Sequence, residues 1–88
     1  MKRYYVVYSG QVQGVGFRWK LMQLAHKYNI TGYVRNLPNG NVETEIQGSG
    51  LDEFIKESIK KDFFIIVDDY AIKEIDLVEN ENTYEVIY

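Results

Sequence analysis

Three glycines fall within seven residues, Gly10, Gly14 and Gly16, and they separate two stretches with incompatible hydrophobic periods. Before them, Lys2 to Ser9 is a nearly unbroken run of β-formers (Tyr4, Tyr5, Val6, Val7, Tyr8), apolar or amphipathic at almost every position. Such a run predicts a strand with both faces largely covered, and so a strand interior to its sheet. After the glycines, apolar residues recur from Phe17 at Leu21, Leu24, Ala25 and Tyr28, the stripe of an amphipathic helix that stops at Asn29. A strand that passes through a glycine-rich loop straight into a helix is the first part of a β-α-β unit.

Thr31 to Asn36 then reads as a second strand, and Leu37-Pro38-Asn39-Gly40 as a hairpin turn. Asn41 to Gln47 alternates, with Val42, Thr44 and Ile46 opposed to Glu43, Glu45 and Gln47, which predicts a strand with one wet face. Ser49 with Asp52 three residues on matches a variant of the capping box, and Leu51, Phe54, Ile55 and Ile59 form the stripe of a second helix. Phe63 to Val67 fits three fates: an extension of that helix, a plug in the core, or the start of a strand. Tyr70 to Val78 and Thr83 to Tyr88 read as strands on either side of the polar turn Glu79-Asn80-Glu81-Asn82. This order predicts an α+β fold of the ferredoxin-like, split βαβ kind: an antiparallel four- to five-stranded sheet with two helices on one face. At 88 residues the expectation is a single domain, residues 1–88, with a thin core.

Composition removes several classes of function. There is no cysteine, which rules out disulfides, thiol nucleophiles and thiolate zinc sites and fits a reducing cytoplasm. His26 is the only histidine and lies off the first helix's apolar stripe, so no conventional metal site is expected. The start, Met1-Lys2-Arg3-Tyr4-Tyr5, lacks the pattern of a signal peptide, and the longest wholly apolar run, Phe63 to Val67, is too short to cross a bilayer. A net charge of −3 speaks against a general nucleic-acid binder, and any anion must be held by local geometry instead. The expected form is a soluble cytoplasmic monomer with no nucleic-acid or membrane partner.

Topology brings distant residues together. Right-handed β-α-β crossovers make the first two strands parallel, so the loop after one and the end of the other share a rim of the sheet. That rim carries Gly10 to Arg18 and Asn36. Glycines allow consecutive N–H groups to converge, and a helix N-terminus behind them favours anions. Arg18 lies in the first helical turn, where a cation opposes the helix dipole by roughly 0.3–1 kcal/mol; a bound anion would offset that cost. On spacing alone, a plain glycine-rich connection with a surface arginine explains the loop equally well. Neither a Walker loop nor a dinucleotide fingerprint is present.

The stretch Gly10-Gln11-Val12-Gln13-Gly14-Val15-Gly16-Phe17-Arg18 resembles the signature loop of the acylphosphatases. Gly32-Tyr33-Val34-Arg35-Asn36 is similar to that family's second motif, and Gly40-Asn41-Val42 and Gln47-Gly48 fall where its next strand begins and ends. The similarity covers most of residues 4 to 60 and resumes at Tyr84-Glu85-Val86-Ile87. Two features depart from the pattern: Leu37 replaces an often small, hydroxylated residue, and Lys61-Asp62-Phe63-Phe64 stands where a Ser-Pro segment is common. The resemblance implies hydrolysis of small-molecule acyl phosphates to carboxylate and inorganic phosphate without metal or cofactor. Carried over by position, Arg18 and Asn36 are the catalytic residues, and the backbone N–H groups of Gln13, Gly14, Val15, Gly16 and Phe17 cradle the phosphoryl group.

The remaining features have simpler explanations. Asp68 and Asp69 read as a solvated turn rather than a carboxylate pair, and the tyrosines as core and cross-strand packing. Trp19 either walls the site or covers the sheet edge. An RNA-binding module of the same element order would need exposed aromatics on the first and third strands, and Asn41 to Gln47 has none. A non-catalytic phosphate-binding or effector-binding domain would also fit the loop. So would a detached relative of the acylphosphatase-like domains in larger carbamoyl-transferring maturation proteins.

Overall fold

The computed structural model describes residues 1–88. In chain order the elements are β1 (Lys2–Gln11), α1 (Phe17–Lys27), β2 (Thr31–Asn36), β3 (Val42–Gly48), α2 (Leu51–Ser58), β4 (Ile66–Ile75) and β5 (Tyr84–Val86). The five strands form one sheet in the order β4-β1-β3-β2-β5. No helix is long and apolar enough to cross a membrane.

The alternation of side chains across each strand builds two different faces. Val6, Tyr8, Val34, Val42 and Ile46 point to one face and merge with Phe17, Leu21 and Leu24 of α1 and Phe54 and Ile55 of α2 into one core cluster. The hydroxyls that enter this core are satisfied. Ser58 Oγ donates to the Ile55 carbonyl and so accepts from the Tyr8 hydroxyl (2.7 Å each). Thr44 Oγ1 likewise donates to the Tyr33 carbonyl and accepts from the Tyr84 hydroxyl. Helix α1 ends where Asn29 adopts φ 58° and the Ile30 N–H reaches back to the Ala25 carbonyl (2.8 Å), a Schellman-type stop.

The opposite face differs from the wet surface expected of β3. Glu43 is only 4% exposed and Gln47 is also buried. Arg3, itself 2% exposed, lies across them. Its Nε donates to Glu45 (2.8 Å), its Nη1 to Gln47 (3.1 Å), and both Nη atoms to the two Glu81 oxygens (2.7 and 3.1 Å). Glu43 accepts from the Tyr5 hydroxyl (2.6 Å), the Tyr33 hydroxyl (3.1 Å) and Arg35 Nε (2.6 Å). The alternation was legible, but partners on neighbouring strands cover the carboxylates.

Three further expectations are corrected. The sheet is mixed, because β2 and β5 pair in parallel while every other pairing is antiparallel. Residues 76–83 cross from one sheet edge to the other, held midway by Gln47, whose side-chain amide exchanges two hydrogen bonds with the Val78 backbone. The chain thus enters β5 running the same way as β2. No side chain caps α2: its N-cap is Gly50, so Ser49 sits one residue too early for a capping box. Finally, β4 begins at Ile66, not Tyr70, and Asp68 and Asp69 lie in it at a β-bulge opposite Ser9 and Gly10 instead of in a turn. Of the 63–67 run, Ile65 turns into the core and Ile66 opens the strand, while Phe63 and Phe64 remain exposed.

Two expectations test the buried polar face. Arg3→Ala strands three acceptors at once and should lower unfolding free energy by about 3 kcal/mol in urea titrations, with Arg3→Lys restoring little because an ammonium cannot span them. Burial pushes the Glu43 and Glu81 carboxyls up, but hydrogen bonds from Tyr5, Tyr33 and Arg35 to the first, and from Arg3 to the second, hold both below the ordinary range. A depressed folded-state value stabilises fully above the unfolded value and is lost as pH falls through the folded one. The melting temperature should therefore hold above about pH 5 and fall below it. Glu43→Gln should flatten that acid limb.

Candidate active site

Helix α1 begins without any of the usual electrostatic help. Its N-cap is Gly16 in the left-handed region (φ 85°), no side chain caps it, and its first turn holds no acidic residue. The first helical hydrogen bond runs from the Lys20 N–H to the Gly16 carbonyl (3.0 Å), which leaves the N–H groups of Phe17, Arg18 and Trp19 without intrahelical partners. Gly14 also has positive φ (71°), and at both glycines an added Cβ would meet only open space. Backbone curl, not crowding, therefore requires them. The N–H groups of Gln13, Gly14, Val15 and Gly16 donate to no backbone carbonyl. Unpaired N–H groups thus run from the loop into the helix, an arrangement suited to a tetrahedral oxyanion.

Arg18 completes that environment. The chain has three arginines; Arg3 and Arg35 are bound to glutamates, whereas Arg18 pairs with no carboxylate. Its guanidinium lies 5.2 Å from the centroid of the Tyr88 ring, a cation–π contact that leaves the edges of the fork available. Gly14, Gly16, Phe17, Arg18, Trp19 and Tyr88 are among the residues that line one hollow of about 250 Å³.

Asn36 is the last residue of β2 and pairs with Val42. Paired residues share a face, so its side chain lies on the helix-bearing side at the same rim as the loop. It does not line the Arg18 hollow. Its Oδ1 is the one buried side-chain polar atom in the protein with no hydrogen-bond partner. Buried polar groups are almost always satisfied, and this acceptor is free to take a hydrogen bond from a bound polar molecule. Gln13 joins the loop to this hairpin: its side-chain amide donates to the carbonyls of Leu37 and Asn41 (2.8 Å each). Leu37 N–H also donates to the Asn41 carbonyl (2.8 Å). Leu37 therefore holds the turn through its backbone, and its departure from a small hydroxylated residue leaves those bonds intact.

The structure thus places Gly14, Gly16, Phe17 and Arg18 around one hollow, Gln13 between loop and hairpin, and Val15 on an adjoining groove with Trp19. Trp19, 66% exposed, forms the ridge between hollow and groove and does not cover the sheet edge. The tying role of Gln13 and the Tyr88 ring over Arg18 had no sequence signal, because both are long-range side-chain contacts. His26 is exposed on the far part of α1. Nowhere do three or more His, Asp or Glu side chains gather as a metal site would need.

Comparison with known proteins agrees with this geometry. The acylphosphatase family model matches residues 4–86. An acylphosphatase from Clostridium acetobutylicum is 39% identical over 90 aligned positions, covering 100% of this chain and 99% of its own. The crystal structure of acylphosphatase from Bacillus subtilis superposes with a TM-score of 0.94 at 30% identity over the whole of both chains. The structure of HypF from T. kodakarensis matches all of this chain with 12% of its own length, at a TM-score of 0.85 and 34% identity. Motif, fold and full-length similarity coincide, and the chain belongs to the acylphosphatase family.

Proposed function

We propose that this protein, through one domain over residues 1–88, hydrolyses the carboxyl–phosphate anhydride of small acyl phosphates to carboxylate and inorganic phosphate without a metal ion. The observation that carries this reading is the uncapped start of α1, where an arginine with no carboxylate partner stands beside unpaired loop amides. Family membership supplies the substrate class.

A carboxylate is a good leaving group, so positioning and charge stabilisation carry the reaction with little need for a general acid. Loop N–H groups from Gln13 to Phe17 and the Arg18 fork take the equatorial phosphoryl oxygens, whose charge is best matched in the transition state. Asn36 holds the attacking water, with its unpartnered Oδ1 accepting a hydrogen bond from it. The water oxygen bonds to phosphorus, the bond from phosphorus to the acyl oxygen breaks, and the carboxylate leaves with that electron pair. A phosphate oxygen takes the proton that the water sheds. Asn36 does not titrate near neutral pH, so it steers water and is not a base.

Benzoyl phosphate hydrolysis in the presence of a chelator tests this directly. Arg18→Ala should reduce kcat/KM by about 10³-fold or more, and Arg18→Lys should recover little of it. Asn36→Ala should lower kcat while inorganic phosphate still inhibits at nearly the wild-type concentration. Loss of phosphate binding in Asn36→Ala with kcat unchanged would overturn the assignment of the water to Asn36. A wild-type protein that binds phosphate but hydrolyses nothing is a binding domain.

A further inference from the structure

Beside the Arg18 hollow lies a second, larger depression of about 440 Å³, lined mainly by Val15, Trp19, Leu24, Phe63 and Ile65, with Gly16 at its near end and Lys20, Gln23 and Asp62 as its polar members. Gly16 and Trp19 belong to both, so the two spaces meet across one glycine and one indole ring. We propose that this groove holds the acyl group of the substrate, and that Phe63 at its lip contacts acyl groups about as large as a benzene ring and sets how well they are used. The inference rests on the hydrolase reading above and deepens it.

Covalent connectivity makes the first argument. The acyl carbon is one oxygen removed from phosphorus, so the acyl group must leave the phosphoryl site directly into neighbouring space. Size is adequate too, since an apolar cavity of ~150 Å³ accommodates benzene.

Phe63 makes the second argument. It is 91% exposed and has φ 45°, a left-handed conformation that costs a bulky residue of order 1–3 kcal/mol. Packing does not reward that conformation. The turn is nonetheless held firmly, by the Ile65 N–H to the Asp62 carbonyl (2.7 Å), by Lys20 Nζ to the Lys60 carbonyl (2.7 Å), and by the Gln11 side-chain amide on the Phe64 carbonyl. A strained, solvent-facing aromatic fixed at the lip of a largely apolar groove is accounted for if its ring contacts an apolar group bound there.

The test compares benzoyl phosphate with acetyl phosphate, whose methyl group is too small to reach Phe63. Phe63→Ala removes an exposed ring and leaves the core alone; Gln23→Trp, at the exposed edge of α1, fills the groove instead. Both variants should lower kcat/KM for benzoyl phosphate about fivefold to tenfold, the scale of losing part of one buried aromatic contact. Both should leave acetyl phosphate turnover and inhibition by inorganic phosphate as in wild type. Equal losses for the two substrates, or no loss for benzoyl phosphate, overturn the groove assignment while the hydrolase reading stands. Failure of the wild-type protein to hydrolyse either substrate overturns both.

Discussion

Strand β3 lies antiparallel between β1 and β2, and the position of every proposed site residue follows from that arrangement. Tyr8 pairs with Val42, and Val42 pairs with Asn36, so one row of the sheet holds the end of β1 and the end of β2 two inter-strand spacings apart, about 10 Å. Just beyond Tyr8, β1 passes the β-bulge at Ser9 and Gly10, stays paired with β4 as far as Gln11 and then enters the glycine loop. Nothing in the loop itself selects Asn36 as its neighbour. Register does, and Gln13 then fixes the distance by bonding to the carbonyls of Leu37 and Asn41.

Register in turn depends on which face of β3 is buried, and here both are. A one-residue slip would move Val42, Thr44 and Ile46 from the core to the polar face and carry Glu43, Glu45 and Gln47 inward. The polar face adds its own specificity, because Arg3 bonds at once to β3 and to Glu81 in the crossing segment 76–83. Two of three arginines are thereby neutralised. In a chain of net charge −3, the positive charge that remains unpaired on an arginine is concentrated at Arg18. Local arrangement, with no help from the overall field, suits that place to an anion.

Much of this was legible in the sequence wherever local chemistry decides the outcome. The switch of period at Gly10–Gly16 placed β1 and α1, and Leu37-Pro38-Asn39-Gly40 placed the hairpin. Contacts between distant residues were not legible. Alternation correctly sorted the two faces of β3, yet it could not reveal that Arg3, Tyr5, Tyr33 and Arg35 would cover the carboxylates. Likewise the polar run Glu79 to Asn82 reads as a simple turn, whereas Gln47 and Arg3 anchor it as a crossover that makes β5 parallel to β2. The Ser49–Asp52 spacing suggested a cap, but Gly50 takes the N-cap position and leaves Ser49 outside the helix.

The two helices show how the site is accommodated within a small core. Helix α2 carries Asp52 and Glu53 in its first turn, where negative charge meets the positive end of the helix dipole. Helix α1 has no acid there and an arginine instead, and Gly16 supplies no side chain to cap it. Its stability comes from its far end and from below: the Asn29 stop, with the Ile30 N–H on the Ala25 carbonyl, and the buried residues Phe17, Leu21, Leu24 and Ala25. Because packing holds the helix, its first turn is free to keep N–H groups unpaired and a cation unneutralised. The least stabilised turn of α1 is therefore the one whose local cost a bound oxyanion would offset, as the proposed function requires.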